Sequence, residues 1–117
     1  MKRILVLIML LASTSVGYCD PEIFANFDSG RQTVTTAGTR VQLSTTSTAC
    51  TRVVITAETD NTNAVTVGGS GVVGALATRQ GVPLLPGDSL TVRVNNLNKI
   101  YLDAITDTEG VSYVFYY

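Results

Sequence analysis

Arg52-Val53-Val54-Ile55-Thr56-Ala57-Glu58 decides the fold class of this chain. Val53, Ile55 and Ala57 recur at every second position, with Arg52, Thr56 and Glu58 on the alternate ones. A period of two sends successive side chains to opposite faces of an extended backbone. The run from Val53 to Thr56 is wholly β-branched, which suits a pleated, half-buried strand. The stretch therefore reads as a strand with Val53, Ile55 and Ala57 facing inward.

The same alternation spreads in both directions. Upstream, Arg40-Val41-Gln42-Leu43-Ser44 turns Val41 and Leu43 one way. Downstream, Ala64-Val65-Thr66-Val67, Leu90-Thr91-Val92-Arg93-Val94, Ile100-Tyr101-Leu102-Asp103-Ala104 and Val111-Ser112-Tyr113-Val114-Phe115-Tyr116 repeat it. Residues 32–36 and 82–85 add two shorter pieces. Leu85-Pro86-Gly87-Asp88 suits a type II turn, because Pro presets φ at the second position and Gly accepts positive φ at the third. Asp60-Asn61-Thr62-Asn63 and Asp107-Thr108-Glu109-Gly110 read as hairpin loops. No stretch beyond the N-terminus keeps helical spacing. Short strands at regular intervals with turns between them predict an all-β, two-sheet antiparallel sandwich, jelly-roll or immunoglobulin-like, of about seven or eight strands. The domain is expected over residues 33–117, with residues 20–32 as an N-terminal tail.

Composition agrees with one folded domain. The chain has 117 residues, 45% of them hydrophobic and only 15% charged, which is the opposite of a disordered chain. Formal net charge is −1, and the arginines are scattered rather than run together, so no nucleic-acid partner is expected.

The N-terminus has the order of a secretory leader: Lys2 and Arg3, an apolar run from Ile4 to Ala12, then small and polar residues. That run falls short of the roughly 20 residues a bilayer requires, so no membrane span is expected after its removal. Residues 1–19 are read as signal peptide-like, with cleavage before Asp20 preferred to cleavage before Tyr18. Tyr18 stands where a lipid-modified Cys19 would want a small residue. Cys50 is then a single cysteine, with no partner for an internal disulfide, and its place at the head of an apolar strand favours a buried filler.

The search for chemistry returns little. The chain holds no histidine, which removes the commonest general base and the commonest metal ligand. Gly69-Ser70-Gly71-Val72-Val73-Gly74 matches the dinucleotide glycine pattern. Gly81 and Pro83 follow too soon for the helix that would hold a pyrophosphate, so the segment reads as a loop or hairpin. Glu58, Asp60, Asn61 and Asn63 crowd one loop, but an EF-hand starting at Asp60 would need glycine where Val65 stands. Asp103, Asp107 and Glu109 are placed on an outward strand position and in a loop, where solvated acids are the usual case. No catalytic, cofactor-binding or metal-ligating residue is predicted, no cofactor is expected, and the chain is read as not an enzyme. The aromatic cluster is more informative: Tyr113 and Phe115 alternate toward the core, while Tyr101, Tyr116 and Tyr117 form the candidate interaction surface.

In order and spacing, Thr33-Val34-Thr35-Thr36-Ala37-Gly38-Thr39-Arg40-Val41-Gln42-Leu43, Cys50-Thr51-Arg52-Val53-Val54-Ile55-Thr56-Ala57, Ala64-Val65-Thr66-Val67-Gly68-Gly69-Ser70, Val82-Pro83-Leu84-Leu85-Pro86-Gly87-Asp88-Ser89-Leu90 and Lys99-Ile100-Tyr101-Leu102-Asp103-Ala104 form a pattern over residues 33–117. The pattern resembles small β-sandwich structural proteins of tailed bacteriophage virions, of the head-decoration or fibre-associated type. The resemblance implies a non-enzymatic, oligomeric surface subunit, whose partners are further copies or other virion or surface proteins. The leader-like segment opens the alternative of an exported carbohydrate-binding or adhesin module with glycans as partners. The expected location is accordingly the virion, or the periplasm or extracellular space.

Overall fold

The computed structural model of the protein describes residues 26–117. The signal-like segment 1–19 and most of the expected tail lie outside the described residues. Among the described residues eight strands follow in order: β1 (Phe27–Val34), β2 (Val41–Gln42), β3 (Arg52–Ala57), β4 (Val65–Gly68), β5 (Val82–Leu84), β6 (Ser89–Val92), β7 (Tyr101–Ala104) and β8 (Glu109–Tyr116), with a 3₁₀ turn at Leu97–Lys99. They form two four-stranded antiparallel sheets, ordered β1-β8-β3-β6 and β2-β7-β4-β5.

The pairing scheme distinguishes the two topologies left open by the sequence. β1 pairs with β8, β2 with β7, β3 with β6 and β4 with β5, so the chain is one long antiparallel ribbon closed at the β4–β5 hairpin. Rolling that ribbon sets β8 beside β3 and β7 beside β4. An eight-stranded ribbon rolled in this way is a jelly roll.

Alternation fills the interior as the sequence predicts. Val53, Ile55 and Ala57 of β3 are wholly buried, and so are Val65 of β4, Leu102 of β7 and Val111 of β8. Each buried valine, leucine or isoleucine contributes about 1.5–3 kcal/mol, so these residues define the core that holds the sheets together. Cys50 joins that core, with its Sγ 3.2 Å from the Val94 carbonyl, and burial pushes its thiol pKa up. Leu85-Pro86-Gly87-Asp88 makes the expected turn: Gly87 has φ +88 and the Asp88 N–H donates to the Leu85 carbonyl at 2.8 Å.

Several expectations are corrected. The sheet begins at Phe27, so residues 27–32 belong to β1 and the sandwich extends into the segment read as tail. Gly30 and the polar residues around it hide the alternation of this edge strand. The segments 60–63 and 107–110 are not hairpin loops: each carries the chain from one sheet to the other, and Glu109 and Gly110 already belong to β8. Asp103 does occupy an outward strand position, yet it is buried, because residues 69–81 of the β4–β5 connection fold back across that sheet face. Glu109 is likewise buried rather than solvated. Its carboxylate accepts hydrogen bonds from the Thr62 and Asn63 N–H groups and ties the β3–β4 connection to β8.

Candidate functional site

The outer faces of the two sheets differ. On the β2-β7-β4-β5 sheet, the 69–81 loop lies across the surface: Val72 is buried against it and the Gly74 N–H donates to Asp103 Oδ2 at 2.8 Å. Arg40 holds the same loop through the Ser70 carbonyl. Thr66, which points outward from β4, is only 1% exposed beneath this cover, and its hydroxyl has no hydrogen-bond partner among the described residues. Among the described residues, no such loop crosses the outer face of the β1-β8-β3-β6 sheet.

Register organises that second face into rows. Phe27, Tyr116 and Arg52 sit opposite one another on β1, β8 and β3. The next outward row holds Ser29, Val114, Val54 and Thr91, and the one after it Arg31, Ser112, Thr56 and Ser89. In the first row the Arg52 guanidinium lies 4.5 Å from the Tyr116 ring centroid, and Phe27, 67% exposed, has its ring 6.1 Å away. A guanidinium over an aromatic face is held by the ring quadrupole. Val54 and Val114 remain partly exposed in the middle of the face.

Beyond the third row, Glu58 receives Arg31 through two hydrogen bonds, from Nε at 2.5 Å and from Nη2 at 2.7 Å. The Arg31 guanidinium holds the Glu58 carboxyl below the usual carboxylate range, and Glu58 in turn raises the pKa of Arg31. Of the residues weighed for calcium, Glu58, Asn61 and Asn63 are engaged in the fold, while Asp60 is exposed. Asn61 exchanges two hydrogen bonds with the Gly110 backbone, and Asn63 donates to the Thr106 hydroxyl. Asp107 accepts from the Ala37 N–H, Asp103 from the Gly74 and Ala104 N–H groups and Glu109 from the Thr62 and Asn63 N–H groups, so the three carboxylates share no partner.

The structure separates the predicted tyrosines. Tyr116 is on the β1-β8-β3-β6 sheet and Tyr101 on β7 of the opposite sheet, so they do not share a face. Tyr117, 54% exposed, lies at the chain-terminal end of the sandwich with its ring 5.8 Å from Phe115. It borders an open pocket of about 410 Å³ with Asp28, Ser47, Thr48, Ala49 and Phe115. Sequence reasoning missed Phe27, Arg52, Val54 and Val114. The detectable signal was Val54, an apolar residue at an outward position of the most regular strand. No protein-family model, no curated protein and no solved structure matches this chain.

Proposed function

We propose that this chain is a non-enzymatic structural subunit that joins a larger surface assembly through the outer face of its β1-β8-β3-β6 sheet. The supporting observation is the composition of that face: partly exposed Val54 and Val114 flanked by an aromatic and arginine row, left uncovered by the described residues while the opposite sheet is covered by its own loop. Aromatic and arginine side chains around an apolar centre are the usual make-up of a protein interface. The jelly roll serves viral capsid and lectin domains alike, so the site and not the fold carries this reading. The resemblance to virion decoration and fibre-associated proteins supports the same role, in the virion or as an exported relative.

Solution mass tests the reading. A structural subunit shows concentration-dependent association, and a chain that stays monomeric at high concentration would sink it. N-terminal sequencing of protein from its native source separates the locations: an intact Met1 within a particle for the virion, a start near Asp20 for export.

One observation favours a second reading, a glycan-binding module. The exposed Tyr117 ring stands beside a carboxylate and two hydroxyls in the 410 Å³ pocket, a grouping able to stack on and hydrogen-bond a sugar. Tyr116 suits this less well, since Arg52 already lies over its ring. Glycan binding that persists in Tyr117→Ala would exclude that pocket.

A further inference from the structure

We infer that the exposed β1-β8-β3-β6 face docks a second copy of this chain, antiparallel, across a two-fold axis that lies in the interface and runs perpendicular to the strands. The inference rests on the structural-subunit reading and adds the partner, the symmetry and the register.

Charge carries the argument. One end of the face bears Arg52 and the exposed Arg93, neither with an ion-pair partner among the described residues. At the other end Arg31 and Glu58 cancel each other's charge, and the exposed Asp60 supplies the net negative charge. From Arg52 to Glu58 is about 20 Å along the chain at roughly 3.3 Å per residue. The face is therefore positive at one end and negative at the other. A two-fold axis perpendicular to the strands reverses the strand direction of the second copy. It brings Arg52 of each copy to the Glu58 and Asp60 end of the other, so both contacts form at once. A two-fold axis parallel to the strands would set arginines on arginines and acids on acids. Self-complementarity of this kind is the requirement for an isologous dimer.

The middle of the face agrees. The axis passes the row of Gly30, Tyr113 and Ile55, which lies midway between the charged ends. Val54 of one copy then meets Thr56 of the other, and Val114 meets Ser112, so branched methyl groups lie against small side chains. The rest of the molecule offers less. The other sheet face is covered by the 69–81 loop, and on the β1 edge the Ser29 and Thr33 N–H groups are already bonded to the Asp28 and Gln32 side chains.

Sedimentation equilibrium of the full chain tests this, with Arg52→Glu, Asp60→Lys and, as a control of equal charge change off the face, Lys99→Glu. The dimer is expected to weaken with added salt. Each face variant alone should weaken it by more than about tenfold, because like charges meet twice. An equimolar mixture of Arg52→Glu and Asp60→Lys should recover it, and Lys99→Glu should leave it unchanged. Association that persists equally in both face variants, or a mixture that fails to recover, overturns the register while leaving the structural-subunit reading in place. A wild-type chain that is monomeric at every concentration removes both.

Discussion

Gly30 shows how one residue sets a local packing arrangement. Register places it opposite Tyr113, and a Cβ at this position would collide with the Tyr113 ring carbon Cζ and hydroxyl. Gly30→Ala should therefore turn the ring outward and destabilise the fold by roughly 1–3 kcal/mol, the usual range for overpacking. Burial, with a smaller contribution from Asp28, pushes the Tyr113 hydroxyl pKa up, so release of the ring should bring it back toward the ordinary tyrosine value. Ultraviolet titration of the tyrosines reads that shift, and a double variant with Tyr113→Leu should lose most of the penalty. The Arg31–Glu58 pair makes a second residue-scale prediction, with a definite sign. Glu58 has a depressed pKa in the folded state, so its contribution to stability is present above the ordinary glutamate pKa and is lost as pH falls through the folded value. Arg31→Ala should lower the urea midpoint at neutral pH, and the gap to wild type should close in acid. With 66% of the Arg31 side chain exposed, solvent screening keeps the gap small. A gap of the same size in acid would show that the pair acts through packing rather than charge.

Strand β1 illustrates both the protection of an edge and the reach of sequence reading. An edge strand presents unpaired N–H groups to any incoming chain. Along β1 the Ser29 N–H is occupied by Asp28 Oδ1 at 2.8 Å and the Thr33 N–H by Gln32 Oε1 at 2.9 Å, so the strand's own side chains close part of its edge. Asp28→Ala frees the Ser29 N–H and removes a charge from the edge. Light scattering should then show faster aggregation than wild type at equal concentration, and an unchanged rate would mean that the edge is closed by other means. The same polar residues hid β1 from the sequence. Strands β3 and β8 were legible because one face is dry and the other wet, which writes a period of two into Val53, Ile55 and Ala57 and into Val111, Tyr113 and Phe115. Asp28 and Gln32 stand on the inner side of β1, where the pattern asks for apolar residues, so no alternation marks that strand. Burial of Asp103 was equally illegible, because it depends on where a distant loop comes to rest. Of the candidate site, the aromatic residues of β8 could be read directly. Their partners Phe27 and Arg52 are brought to them by pairings between strands far apart in sequence.

At the scale of the whole molecule, the rolled ribbon joins the two ends of the domain. The longest register, from Phe27 opposite Tyr116 to Val34 opposite Glu109, pairs the first strand with the last. Asn26 and Tyr117 close it with reciprocal backbone hydrogen bonds of 2.9 and 2.8 Å. Such a pairing requires closure of the largest loop available, and topologies dominated by distant contacts fold slowly for that reason. A circular permutant should reverse the situation. Joining Tyr117 to Asn26 through an Asn-Gly turn makes β8 and β1 a local hairpin, and the mutual hydrogen bonds show that a short connection spans the gap. New termini belong between Ala75 and Thr78, where the chain is exposed and carries little of the core. The opening sacrifices only the locality of the β4–β5 pair, whose register is three residues against the eight of β1 and β8. The permutant is therefore expected to refold faster than the natural order of strands, with an unfolding rate changed less than the folding rate. Stopped-flow refolding from urea measures both arms. A folding arm unchanged by the permutation would place the β1–β8 pairing after the rate-limiting step, and the transition state would then lie in the inner turns of the roll, where β3 meets β6 and β4 meets β7.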